Sequence, residues 1–211
     1  MKICVLGLGY VGSVTAAMLA QSGHSVIGID IDAHKVGMIN NGLSPVSEPQ
    51  LDEIIESAIS SGNLSASSQI NDCSDVDLIF ICVGTPLDDD GTPDFSQIKS
   101  VLLEIENIKF SKNGNICILN RSTCLPEVHN YAYDLFLNSS SDYKIDYIVH
   151  PEFLREGSAI NDFRHPSVYI FGSQLSNREI ESLANKIYKN IESPIIATTI
   201  SNAALTKYAS N

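Results

Sequence analysis

The chain has 211 residues, 44% hydrophobic and 18% charged, with a formal net charge of −12. That length suits one large domain, or one domain with an appendage, and buries a real core. The most apolar short run, 78–83, is strand-sized and well below the roughly 20 residues of a membrane-spanning helix, while the acidic balance, with no Lys/Arg stripe to offset it, argues against nucleic acid as a partner.

In chain order, residues 2–6 form a short aliphatic and β-branched run that predicts a strand. The glycine pattern Gly7-x-Gly9-x-x-Gly12 follows, then helix-compatible composition over 13–22 and a second strand-like run over 25–29 that stops at Asp30. Lys2, the apolar stretch and the small residues Thr15, Ala16 and Ala17 also fit an export signal. A signal peptide, however, needs neither glycines at this spacing nor a second strand ending in an acid, so the order strand, turn, helix, strand, acid within about 30 residues favours a dinucleotide-binding turn.

Helices are predicted over 32–40 and 48–60, the latter with Leu51, Ile54, Ile55 and Ala58 at helical spacing. Strand-like runs follow at 78–83, 116–119, 147–149 and 168–171, with helical patterns over 94–108, 128–137 and 177–190 between or after them. The serine-rich stretches 57–68 and 138–141 read as loops, and the last segment, 201–211, is helical in composition and stops without a C-cap, as if cut. Alternating strands and helices predict an α/β fold of the Rossmann type, a doubly wound, mostly parallel sheet. The five cysteines, Cys4, Cys73, Cys82, Cys117 and Cys124, are odd in number and lack C-x-x-C spacing. They predict reduced thiols in a cytoplasmic protein, without a disulfide framework or a metal site.

The glycines have separable tasks: Gly7 for a tight turn, Gly9 for close approach to a pyrophosphate, Gly12 for close packing of helix on strand. Asp30, 18 residues beyond Gly12, is placed to accept both ribose hydroxyls of an adenosine, the alternative being a solvated strand-end acid. Asp32 adds negative charge and no arginine follows directly, which favours NAD over NADP. The stretches "ICVGTP" (81–86), "NRSTCLP" (120–126) and "HPEFLREGSAI" (150–160) each follow a predicted strand, where ligands bind in open α/β sheets. If the last of these is helical, Glu152 and Glu156 share a face and form an acid/base pair; otherwise they are a solvated acidic turn. Lys207 and Asn211 likewise share a face on a helix, although exposed lysines usually have no special task.

Together "GLGYVG", "SPVSEPQL", "FICVGTP", "RSTCLP", "PEFLREGSAI" and "KYASN", in this order and spacing, resemble the UDP-glucose/GDP-mannose dehydrogenase family over nearly the whole chain. The resemblance implies an NAD-binding domain over 1–200 and the start of a central, dimerising helix over 201–211, in a full-length protein that is a homodimer or larger. It also implies oxidation of a nucleotide-sugar C6 alcohol to a carboxylate with two NAD in succession, through a cysteine thiohemiacetal and thioester. By motif, Gly7, Gly9, Tyr10, Val11, Gly12, Asp30, Lys35, Thr85 and Thr123 would contact NAD. Thr123 would also position the catalytic water, Glu152 would be the acid/base with Glu156 in support, and Glu152, Phe153, Leu154 and Arg155 would line the sugar site. Lys207 would stabilise the oxyanion, with Asn211 orienting water, both also touching the substrate.

The chain departs from the family pattern in several places. The nucleophile's "GGxCxPKD"-type segment does not occur, so the fragment alone is expected to bind NAD without completing the oxidation. Cys124 stands where valine is usual and reads as packing. Glu127 and Val128 replace Gly-Thr, His150 replaces asparagine and Ala204 replaces glutamate. The "RSTxLP" form and Val168 lean toward GDP-mannose and "PEFLREGSAI" is equally at home with UDP-glucose, leaving both sugars open. A stand-alone NAD-binding module or a non-catalytic relative is the competing reading.

Overall fold

The computed structural model describes residues 1–111, 114–138, 143–189 and 191–210. Strand β1 (Lys2–Leu6) leads into α1 (Tyr10–Gln21), β2 (Ser25–Ile29), α2 (Ala33–Asn40) and α3 (Leu51–Ser60). After β3 (Leu64–Ser67) and a 3₁₀ turn (Ile70–Cys73) come β4 (Leu78–Ile81), α4 (Ser96–Glu106), β5 (Asn115–Asn120), α5 (Pro126–Leu137) and β6 (Lys144–Val149). The chain continues through α6 (Ala159–Arg164), β7 (Tyr169–Gly172), α7 (Asn177–Ile187), β8 (Ile195–Thr198) and α8 (Ile200–Ser210).

The eight strands form one sheet in the order β3-β2-β1-β4-β5-β6-β7-β8, parallel except where Val149 of β6 meets Gly172 of β7. Its first six positions have the order of two mononucleotide-binding halves, with the reversal between β1 and β4. Central strands such as "KICVL" and "LIFI" are apolar at successive residues because helices cover both faces. One apolar cluster joins the sheet to α1, α3, α6 and α7 through Val14, Leu19, Ile55, Ile160 and Ile180. The other joins it to α4, α5 and α8 through Ile98, Leu102, Ala132, Ala203 and Ala204.

The predicted doubly wound sheet is therefore present, with three elements that periodicity did not separate: β3, α6 and β8. The serine-rich stretch expected as a loop holds the end of α3 and the whole of β3, because parallel pairing with β2 overrides the weak strand propensity of Leu-Ser-Ala-Ser. The other serine-rich stretch falls mainly outside the described residues. Ala204 is fully packed within the second cluster, so α8 docks on the sheet domain as an integral layer.

Candidate functional site

Sheet register builds the site. Ile29, Leu6, Ile81, Asn120 and Val149 lie in one row across β2, β1, β4, β5 and β6. The residues that follow them, Asp30, Gly7, Cys82, Arg121 and His150, therefore emerge together at the carboxyl edge. Backbone hydrogen bonds continue the row, with Gly7 N donating to Ile29 O (2.7 Å), Cys82 N to Leu6 O (2.8 Å), Arg121 N to Ile81 O (2.9 Å) and His150 N to Asn120 O (2.8 Å).

A groove of about 900 Å³ runs along this edge, from Asp30, Ile31 and Lys35 past Gly9 to Thr85, Thr123 and Glu152. Gly7 takes φ +91°, and a β-carbon there would lie 2.8 Å from Cys82 O; one on Gly12 would lie 1.7 Å from Gly7 O. Both glycines exist so that backbone can meet backbone. A β-carbon on Gly9 would instead meet no protein atom within 4 Å, and no side chain caps α1 at that residue. The open space and the uncapped N–H groups fit a pyrophosphate. Tyr10 and Val11, the first residues of α1, line the same wall.

Asp30 is almost fully buried. Its carboxylate accepts from Leu8 N (2.6 Å) and Asp32 N (2.9 Å) and lies 3.4 Å from the Lys35 ammonium. The acid thus fastens the glycine turn to the end of β2 while still facing the groove.

At the far end, Glu152 and Lys207 meet. Lys207 Nζ lies 2.9 Å from Glu152 Oε1 and donates to Glu152 O at 2.8 Å, while Leu154 N donates to Oε2 at 2.7 Å. Both side chains are largely buried, and the ammonium sits 5.6 Å from the centre of the Phe153 ring. Fifty-five residues apart in sequence, they come together because α8 packs tightly on β7. A β-carbon on Gly172 would lie 2.5 Å from that of Ala203, an approach that only glycine allows.

The helical pairing of Glu152 with Glu156 does not occur. Residues 151–155 are irregular and 156–158 form a turn, since Glu152 turns inward to Lys207 and the Leu154 amide. Glu156 is exposed and has no hydrogen-bond partner among the described residues. Arg155 is also exposed, its guanidinium bidentate on Asp162 at 2.7 and 3.1 Å. Asn211 lies outside the described residues. Cys124 is buried and its thiol is pushed up to about 12 by burial, in keeping with a packing residue.

Several contributors carried no assigned role in the sequence. Glu48, in the "SPVSEPQL" stretch, is buried and accepts from Gly157 N (2.7 Å), Ala159 N (2.8 Å) and the Tyr10 hydroxyl. It clamps the Glu152 loop to the start of α1, and burial together with the Glu48 bond raises the Tyr10 phenol above its ordinary value. Under the Thr123 loop, Asn120 accepts from Ser122 N (2.8 Å) and donates to the Tyr147 hydroxyl (2.7 Å), which donates to His129 Nδ1 (2.8 Å). His150 donates through Nδ1 to Ile170 O (2.7 Å), accepts from the Tyr188 hydroxyl (2.7 Å) and stacks on Phe171. Burial, and secondarily the Arg121 charge, pushes this imidazole down to about 3. Their sequence signals were positional: Glu48 lies within "SPVSEPQL", Asn120 opens "NRSTCLP" and His150 opens "HPEFLREGSAI", whereas His129 and Tyr147 had none.

The model of the UDP-glucose/GDP-mannose dehydrogenase family NAD-binding domain matches residues 1–192. The chain belongs to that family. It is 36% identical over its whole length to the GDP-mannose 6-dehydrogenase of Pseudomonas aeruginosa and covers 49% of it. YtcA of Bacillus subtilis, provisionally named a UDP-glucose 6-dehydrogenase, is 38% identical over the whole chain, which covers 48% of it. Among solved structures, a ternary complex of GDP-mannose dehydrogenase from P. aeruginosa superposes with a TM-score of 0.88 at 34% identity, matching 100% of this chain and 49% of that one. A UDP-glucose dehydrogenase from Pyrobaculum islandicum gives 0.90 at 31% identity, matching 99% of this chain and 48% of that one. The chain spans about half the length of these relatives. The matched family model is that of an NAD-binding domain, so NAD is the cofactor that goes with this fold. Among the described residues no group of His, Cys, Asp or Glu could hold a metal, and no helix is long and apolar enough to cross a membrane.

Proposed function

We propose that this chain is the cofactor-binding half of a nucleotide-sugar 6-dehydrogenase and supplies part of its catalytic machinery. The observation that carries the reading is the buried Glu152–Lys207 pair, 2.9 Å apart, at the end of the groove opposite Asp30. NAD, when bound, supplies a hydride acceptor there. Asp30 takes the ribose hydroxyls with Lys35 beside it, and the α1 N-terminus at Gly9, Tyr10 and Val11 takes the pyrophosphate. Thr85 and Thr123 border the path to the reacting end.

Glu152 acts as acid/base on the C6 hydroxyl and on the hydrolytic water, steered by the Leu154 amide and Lys207. An ammonium has three donors; two are engaged by Glu152 Oε1 and O, so one remains for a developing oxyanion at C6. Phe153, Leu154 and Arg155 line the sugar, Glu156 supports Glu152, and Thr123 and Asn211 orient water. Over both oxidations the alcohol and one water become a carboxylate, two NAD⁺ become two NADH, and three protons are released. The covalent stages require a cysteine nucleophile from a "GGxCxPKD"-type segment, which these 211 residues do not contain. In this reading 1–200 binds NAD, and 201–211, packed on the sheet through Ala203 and Ala204, begins a linking helix. A cytoplasmic homodimer or larger assembly goes with it.

The relatives act, by name, on GDP-mannose and UDP-glucose alike, and both sugars stay candidates for this chain. The test is NADH formation by the uninterrupted gene product with the two sugars side by side. Lys207→Ala should lower turnover far more than cofactor affinity. NAD binding without NADH from either sugar would instead make the protein a binding module, and equal loss of turnover and affinity would make Lys207 structural.

A further inference from the structure

The proposed chemistry leaves one buried charge unused. Arg121, immediately after β5, is 6% exposed, yet no carboxylate pairs with it among the described residues. Its guanidinium reaches Thr15 Oγ1 at 3.4 Å, lies 5.9 Å from the Phe80 ring and 5.8 Å from the Phe163 ring, and leaves Nε without a hydrogen-bond partner. The two acids of the adjoining 210 Å³ hollow are already neutralised, Glu152 by Lys207 and Asp162 by Arg155. An unpaired buried charge is costly, and no carboxylate among the described residues offsets this one.

Its place along the groove indicates what the charge faces. Asp30 at β2 and Gly9 after β1 fix the adenosine and pyrophosphate, so the remainder of the dinucleotide must extend over the ends of β4 and β5. Arg121 borders the groove there with Cys82, Thr123 and Glu152. The other acid on that half, Glu104 of α4, is exposed on the rim. The guanidinium is fixed by two rings and a hydroxyl, so its charge acts from a set position on whatever occupies the groove.

We propose that Arg121 is a fixed electrostatic residue that favours the reduced nicotinamide over the oxidised one and so biases the bound couple toward hydride acceptance. The oxidised ring carries one positive charge and the reduced ring none; both forms carry the same pyrophosphate. The Arg121 charge thus attracts both through the pyrophosphate and repels only the oxidised ring. This rests on the groove being the NAD site, and the readout separates the two claims.

The experiment measures Kd for NAD⁺ by calorimetry and for NADH by its fluorescence, on the parent chain and on Arg121→Met, Arg121→Gln and Arg121→Lys. The parent should bind NADH more tightly. Met, which keeps the contact between the two rings, and Gln should each lower the ratio Kd(NAD⁺)/Kd(NADH) on the order of tenfold, the effect of one partly screened charge. Lys should preserve it. Equal changes in both affinities, or none, would overturn the proposal, as would a parent chain that binds NAD⁺ as tightly as NADH even if no variant folds. Binding of neither form by a folded parent would overturn the cofactor site itself.

Discussion

Gly9 and Gly12, three residues apart in one motif, should fail in opposite ways when each is given a single methyl group. At Gly12 the new β-carbon would lie 1.7 Å from Gly7 O and 3.3 Å from Cys82 Cβ. Reaching even 3.0 Å demands that α1 retreat from the glycine turn by more than an ångström, and α1 is buried along Gly12 to Ala20. Overpacking of this kind against backbone costs about 3 kcal/mol or more. In a domain of this size that lowers Tm by roughly 6–12 °C, at about 2–4 °C per kcal/mol.

At Gly9 the backbone is extended (φ −74°) and the β-carbon meets nothing within 4 Å, so Gly9→Ala should cost only the difference between glycine and alanine as a helix N-cap, about 1 kcal/mol or less. That space is where the pyrophosphate must approach α1. NAD affinity should therefore fall at least about tenfold, or ~1.4 kcal/mol, while Tm barely moves. Thermal unfolding and calorimetric NAD titration of both variants provide the assay. Unchanged NAD affinity in Gly9→Ala would show that the pyrophosphate does not pass over position 9. A Gly12→Ala chain as stable as its parent would refute the packing argument.

Asp30→Ala should weaken NAD binding by about 1–3 kcal/mol, with a Tm loss as well because the buried Leu8 amide loses its 2.6 Å acceptor; an unchanged Kd would mean the acid is not on the ribose. Glu48→Ala strands the Gly157 and Ala159 amides and should destabilise the chain by about 2–5 kcal/mol in urea unfolding, with Glu48→Gln, which keeps one acceptor oxygen, intermediate. Equal midpoints for the two variants would show that the clamp contributes little. Burial holds His129 down to about 4 and His150 to about 3, whereas an unfolded histidine titrates near 6.5. The unfolded chain thus binds more protons between about pH 6.5 and 4, and the stability present in full above that window is lost as pH falls through it, by up to ~1.4 kcal/mol per pH unit per histidine. His150→Asn should remove about half of these two histidines' share of the slope in urea unfolding at pH 6 and 5, and an unaltered slope would assign it to other groups.

Local sequence carried much of the fold and the cofactor turn. The Gly7-x-Gly9-x-x-Gly12 pattern and Asp30 were legible because a turn, a helix start and a strand-end acid are set by residue type at short range. The strands of the central sheet were legible because burial on both faces leaves uninterrupted apolar runs. β3 was missed because "LSAS" is strand only by virtue of its neighbour β2. The acid pair expected at Glu152 and Glu156 needed a helix that the loop does not form. What replaces it is an ion pair to Lys207 across 55 residues, set by the close fit of Gly172 to Ala203. Nor could sequence reveal that Arg121 is buried without a carboxylate, since a charge's compensation depends on every element packed around it. Residue types and their local spacing fixed the turn and the sheet's composition; register and helix docking, which depend on distant partners, decided which carboxylate meets which cation at the groove.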